Sequence, residues 1–237
     1  LRRDLARHAN FPLDRTRVVY NGVDLDRFTP CGRPDGRDSK LSLLYAGSLV
    51  PHKGVHTAIE AMALLARGPH GDQVALTIAG AGHPDYERRL RRMVDDANLF
   101  GQVRFLGRVP REEMPALLRE FDVLVFPSIW EEPLSRAMQE AMASGLVVVG
   151  TVTGGSGELL VEGETGLTFG PENAEALARR IGQLRDQPPL RHKLAHQARQ
   201  RVERQFDIQR MIDEIEDYLS QVSGNAPHPS HPSEPSW

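Results

Sequence analysis

Glu132 and Glu140 form an E-x7-E arrangement, with Pro133 directly after the first glutamate and a helical pattern over residues 134–144. Proline suits a helix start because it lacks the N–H that would go unsatisfied there. The N–H groups of Leu134, Ser135 and Arg136 would then be free and would form an anion site. Glu140 lies inside the same helix, among Met138, Ala141 and Met142. Two readings are open for it. One is a solvated helix face, the commoner case. The other is a buried carboxylate, which needs strong hydrogen-bond partners, and sugar hydroxyls can provide them.

Three further loops carry chemistry. Gly47-Ser48-Leu49-Val50-Pro51-His52-Lys53-Gly54 sets Lys53 at a helix start, where its charge opposes the helix dipole. A bound anion would offset that; an exposed lysine beside a tight turn is the plainer reading. Gly80 and Gly82 imply close approach by a ligand or by neighbouring backbone. They are no dinucleotide fingerprint, since a third glycine and a downstream acid are missing. Thr153-Gly154-Gly155-Ser156-Gly157-Glu158 reads as a flexible ligand-side loop or a mobile connection.

Each loop follows a short apolar run. Strands are predicted over residues 17–20, 43–46, 74–79, 103–106, 123–126, 147–150 and 167–169. Several are apolar at consecutive positions, as in parallel sheets covered on both faces. Helical periodicity falls on 55–67, 85–98, 111–121, 134–144, 173–185, 190–205 and 208–222, with Asn173 as an N-cap. Serial β-then-α units imply an α/β fold, a doubly wound, Rossmann-like parallel sheet with right-handed crossovers. Ligands of such sheets lie beyond the carboxyl ends of the strands, where these loops are.

The 237 residues carry 29 Lys and Arg against 32 Asp and Glu, a net charge of −3. No basic excess marks a nucleic-acid binder, so nucleic acid is not an expected partner. No apolar stretch approaches the ~20 residues of a membrane-spanning helix. One cysteine, Cys31, excludes an internal disulfide and a Cys-rich metal site. It is compatible with a reducing compartment, and a cytoplasmic location is expected. His52, His56, His83, His192 and His196 show no ligand set, and no Asp-x-Asp pair ends a strand; no metal site is assigned.

Taken in order, the motifs resemble the donor-binding, C-terminal half of retaining glycosyltransferases of the two-domain GT-B architecture, family four (group 1). The resemblance runs from about Val18 to Leu219. It rests on Tyr20-Asn21-Gly22-Val23-Asp24 with Phe28, Gly47 to Lys53-Gly54, Ala79-Gly80-Ala81-Gly82, Phe105-Leu106-Gly107, Glu132 to Glu140-Ala141-Met142-Ala143-Ser144-Gly145, Gly154-Gly155 to Glu158, and Gly163-Glu164-Thr165-Gly166-Leu167.

The resemblance implies transfer of a sugar from a nucleotide-diphosphate sugar, UDP- or GDP-linked, to an acceptor hydroxyl, with retention and no cofactor. Glu140 would bind the ribose hydroxyls and Glu132 would face the donor sugar. The Leu134, Ser135 and Arg136 N–H groups would hold sugar and distal phosphate. Lys53 would neutralise the leaving diphosphate, with Gly47, Ser48, Gly80 and Gly82 lining the donor. Arg108 and Val109 would edge the nucleobase. Ser48 stands where the family usually has arginine, and Arg136 is the candidate to supply that charge. Leu134 and Ser135 replace the usual Phe-Gly, which would re-aim the sugar pocket.

The resemblance also implies a domain plan: residues 1–14 as the end of an interdomain linker, 15–206 as the donor domain, 207–222 as a helix crossing back to an N-terminal acceptor domain, and 223–237 as a disordered tail. Met211, Ile212, Ile215 and Leu219 would form that helix's apolar face. Any peripheral membrane contact is expected through the acceptor domain alone. The chain by itself is expected to bind donor weakly and to transfer nothing at a useful rate. A binding module without transferase activity is the alternative. A nicotinamide-dependent oxidoreductase is disfavoured by the lack of a Gly-x-Gly-x-x-Gly turn.

Overall fold

A computed structural model of the chain describes residues 16–30, 40–68 and 71–223. The expected linker, 1–14, and residues 224–237 of the expected tail lie outside the described residues; Ser223 ends the last helix.

Six parallel strands form one sheet: β1 Leu41–Ala46, β2 Val74–Ala79, β3 Val103–Gly107, β4 Val123–Phe126, β5 Val147–Gly150 and β6 Gly166–Thr168. The helices are α1 Val55–Ala66, α2 Pro84–Asp96, α3 Met114–Leu118, α4 Arg136–Ala143, α5 Ala174–Asp186, α6 Pro188–Gln205 and α7 Ile208–Ser223. Successive strand residues face opposite sides, and each side has its own apolar layer. Leu43, Tyr45, Val147 and Val149 pack with Ile59, Met62, Leu90 and Ile181. Leu44 and Val148 pack with Met138, Met142, Val202 and Phe206. That two-sided demand is why the strands read as unbroken apolar runs.

The strand order is β3-β2-β1-β4-β5-β6. It reverses between β1 and β4, which is where doubly wound sheets open a crevice for ligands. The loops after these two strands carry Lys53 and Glu132 respectively.

Residues 17–20 are not a strand. Val18 and Tyr20 are exposed, and the ladder contact in this stretch is one isolated bridge between Val23 and Asp207. The Tyr20 ring packs edge-on against Phe206, so its apolar character serves a side-chain contact. The helix expected over 111–121 shrinks to the five residues of α3.

The helix expected from Leu134 begins at Arg136. Ser135 is its N-cap, and its buried hydroxyl accepts from the Met138 N–H at 3.3 Å. A short polar side chain in extended backbone captures the first-turn donors better than proline can, so the helix starts two residues after Pro133's position implies.

Candidate active site

The β1 and β4 loops are stitched together. The Ile129 N–H donates to the His52 carbonyl at 2.9 Å. Gly54 sits at φ +69°, and a Cβ there would lie 1.9 Å from the Pro127 carbonyl oxygen. Lys53 ends a 3-10 turn, Pro51–Lys53, directly before α1. Its ammonium is ion-paired with the Glu132 carboxylate, which also accepts from the Ser128 hydroxyl at 3.2 Å. The anion that offsets Lys53 at the helix start is thus a side chain of the protein itself.

Glycines of the loop after β2 pack against the β1 loop and complete this frame. A Cβ on Gly80 would lie 1.8 Å from the Gly47 carbonyl oxygen, and one on Gly82 would lie 1.9 Å from that of Leu49. The close approach expected at these glycines is made by neighbouring backbone. Tyr45 donates to the Ser48 carbonyl at 2.8 Å, and burial pushes its hydroxyl pKa far up, so it remains a donor. The Gly154–Glu158 segment is a 3-10 turn. It is a packed wedge: the Gly155 N–H donates to the Glu132 carbonyl at 2.6 Å, and a Cβ on Gly155 would meet the Pro133 carbonyl oxygen at 1.7 Å.

Beside this frame lies a cleft of about 600 Å³, lined by Arg108, Val109, Pro110, Arg111, Glu112, Met114, Arg136 and Glu140. Glu140 is partly buried there, and desolvation raises its carboxyl pKa. Arg136, Arg111 and Arg27 pull in the opposite direction, and the Arg27 guanidinium donates to the Arg111 carbonyl at 3.0 Å. A carboxylate held among cations, half out of water, is equipped to accept from ligand hydroxyls while its neighbours receive anionic groups.

A family model described as glycosyl transferases group 1 matches residues 34–201. The chain belongs to this family. It is 35% identical over 196 residues to a glycogen synthase of Mycobacterium tuberculosis, covering 81% of this chain and 45% of that protein. It is 30% identical over 231 residues to the D-inositol 3-phosphate glycosyltransferase of Pseudarthrobacter chlorophenolicus, covering 95% of this chain and 55% of that protein. Among solved structures, Anabaena HepE in complex with UDP and glucose superposes with a TM-score of 0.79 at 26% identity, over 90% of this chain and 59% of that one. The C-terminal domain of a Francisella tularensis group 1 glycosyltransferase, LpcC, gives 0.71 at 25% identity, over 79% of this chain and 100% of that one. The chain spans about half the length of the two curated relatives, the glycogen synthase and the D-inositol 3-phosphate glycosyltransferase. The fold is the α/β, Rossmann-like one of GT-B glycosyltransferases.

In this group 1 glycosyltransferase chain the expected residues fall into two clusters. Lys53 and Glu132 form one; Arg108, Val109, Arg136 and Glu140 form the other. Segment 132–136 joins them. Of the three expected helix-end donors, only Arg136 lies in the first turn, because Leu134 and Ser135 precede the helix. The Ser135 hydroxyl oxygen caps its own helix by accepting from the Met138 N–H. Sequence reasoning missed Ser128, which orients Glu132, and Arg111, which lines the cleft. Arg111 was hidden by the longer helix expected there; Ser128, four residues before Glu132 in a proline-bounded loop, had a spacing signal that local patterns do not rank. Among the described residues, no group of three or more His, Cys, Asp or Glu is placed to hold a metal ion, and no helix is long and apolar enough to cross a membrane.

Proposed function

We propose that the chain is the donor-binding half of a retaining glycosyltransferase. It would bind a nucleotide-diphosphate sugar and pass the sugar to an acceptor hydroxyl. The observation that carries this reading is the convergence of the Lys53–Glu132 pair and the Arg136–Glu140 cleft at the strand-order reversal. Glu140 takes the ribose hydroxyls, and Arg108 and Val109 edge the base. HepE holds UDP and glucose in its crystal structure, which favours a UDP-sugar over a GDP-sugar here.

The hard step is departure of the diphosphate while positive charge grows on the sugar ring. Lys53 starts out committed to Glu132, so its ammonium alone leaves the incoming diphosphate undercompensated. Arg136, whose side chain lines the cleft one turn before Glu140, supplies the further cation that Ser48 does not. Removing a preorganised donor of this kind costs on the order of 10²–10³ in rate. Most of the acceptor side would belong to a further domain of a longer protein.

The deciding experiment is a thermal-shift screen of the chain against UDP-, GDP- and ADP-sugars, since a ligand that binds only the folded state raises its stability. A shift with one nucleotide class, lost in Glu140→Ala, supports the reading. No shift with any of the three overturns it. Turnover of the longer protein then separates a transferase from a binding module.

A further inference from the structure

Trp130 is 56% exposed, although it lies in the tightly bonded loop that carries Glu132. Its N–H is held by the Ser128 hydroxyl at 3.3 Å, and its carbonyl accepts from the Glu132 N–H at 2.9 Å. The ring rests on the His52 imidazole, centroids 5.5 Å apart at 49°. His52 is itself exposed, and its carbonyl takes the Ile129 N–H. The loop is therefore fixed from both sides, yet it presents its largest apolar surface to water. Five of the exposed large apolar side chains among the described residues lie on α7; Trp130 lies two residues before the carboxylate of the Lys53–Glu132 pair.

We propose that Trp130 and His52 form a stacking platform for a pyranose ring of the acceptor saccharide, so that the donor domain itself contributes to acceptor choice. This rests on the reading of the chain as a glycosyltransferase. The indole face carries the negative side of the ring quadrupole, and the axial C–H groups of a pyranose are its natural complement. Pyranose hydroxyls at the ring edge need polar partners; the exposed His52 imidazole lies against the indole, and the next residue in sequence is the exposed Glu131. A rigid aromatic face with a few placed polar groups is the usual make-up of a small-ligand site. Trp130 is not among the residues lining the Arg136–Glu140 cleft, the part of the site proposed for the nucleoside.

The test uses Trp130 as its own reporter. The chain's two tryptophans are Trp130 and Trp237, so Trp237→Phe leaves Trp130 the sole tryptophan, whose emission is excited selectively over that of the tyrosines. That variant is titrated with methyl α-glucoside, methyl α-mannoside, methyl α-galactoside and maltose, with UDP and GDP in parallel. The proposal expects saturable change in Trp130 emission with at least one saccharide. By calorimetry, Trp130→Ala in the full chain should weaken that saccharide roughly tenfold, about one decade of Kd. Trp130→Phe should keep most of the affinity, and nucleotide affinity should be unchanged in both. Saccharides that leave Trp130 emission flat, or that bind Trp130→Ala as well as the parent, overturn the platform. So does quenching by nucleotide alone, which would assign Trp130 to the nucleotide site. If saccharide binds and no nucleotide does, the platform stands and the donor-site reading fails; the reverse result separates them the other way.

Discussion

The ammonium of Lys53 and the carboxylate of Glu132, 79 residues apart in sequence, meet as an ion pair across the loops that follow β1 and β4. Neither side chain is fully exposed, at 25% and 14% of its surface. The pair satisfies both charges within the protein, and under the proposed function it would exchange partners when a diphosphate binds.

Breaking the pair should therefore separate its two roles. Lys53→Met is expected to weaken UDP or GDP binding roughly tenfold, the size of a lost charge-assisted contact, and to cost about 1 kcal/mol of stability. Glu132→Gln is expected to leave nucleotide affinity within a factor of about two while lowering turnover of the longer protein by roughly 10² or more. Calorimetry on both variants, with the product assay on the longer protein, checks this. Equal nucleotide affinity in parent and Lys53→Met would remove Lys53 from the diphosphate site.

Under the proposed function Glu140 would trade stability for binding. Its carboxyl pKa is raised by desolvation, so the folded state takes up a proton more readily than the unfolded chain does. The burial penalty is present at neutral pH, where the group is charged. It is relieved as pH falls through the raised folded value. Glu140→Gln is expected to raise the thermal midpoint at neutral pH, to lose that advantage under acid conditions, and to weaken uridine or guanosine binding. Thermal melts across pH, paired with nucleoside titrations, test both halves.

Glycine packing in the frame can be separated from glycine conformation. Gly54→Ala combines a φ of +69° with a clash against the Pro127 carbonyl, and is expected to destabilise by about 2–4 kcal/mol. Gly163→Ala has a similar φ of +71° with nothing within 4 Å of the new Cβ, and should cost only about 1 kcal/mol. Denaturant unfolding of the two variants measures the difference, which is the cost of spreading the β1 and β4 loops.

Ser135 is a structural cap. Ser135→Ala should cost about 1 kcal/mol through the lost bond to the Met138 N–H, and Ser135→Gly only a few tenths. Nucleotide affinity should be the same in both. A loss of affinity that exceeds the loss of stability would place the hydroxyl in the ligand site instead.

The sequence alone yielded the strands from β1 to β6 within a residue or two and the E-x7-E carboxylates, because two-sided burial leaves unbroken apolar runs and helical burial leaves a 3.6 period. It also marked every glycine loop that borders the site. It misread residues 17–20 because exposed Val18 and Tyr20 look like strand residues until Phe206, from the far end of the chain, is seen to take the Tyr20 ring. It placed the α4 start too early because a proline signal and a serine cap compete within two positions, and the cap's bond decides. Only the tertiary structure set the strand order that brings the β1 and β4 loops side by side. Only it gave Lys53 a partner in Glu132, turned the Gly80, Gly82 and Gly155 approaches into backbone packing, and gathered Arg108, Arg111, Arg136 and Glu140 around one cleft. Periodicity records what each residue buries locally, whereas these relationships join segments far apart in sequence and have no local trace.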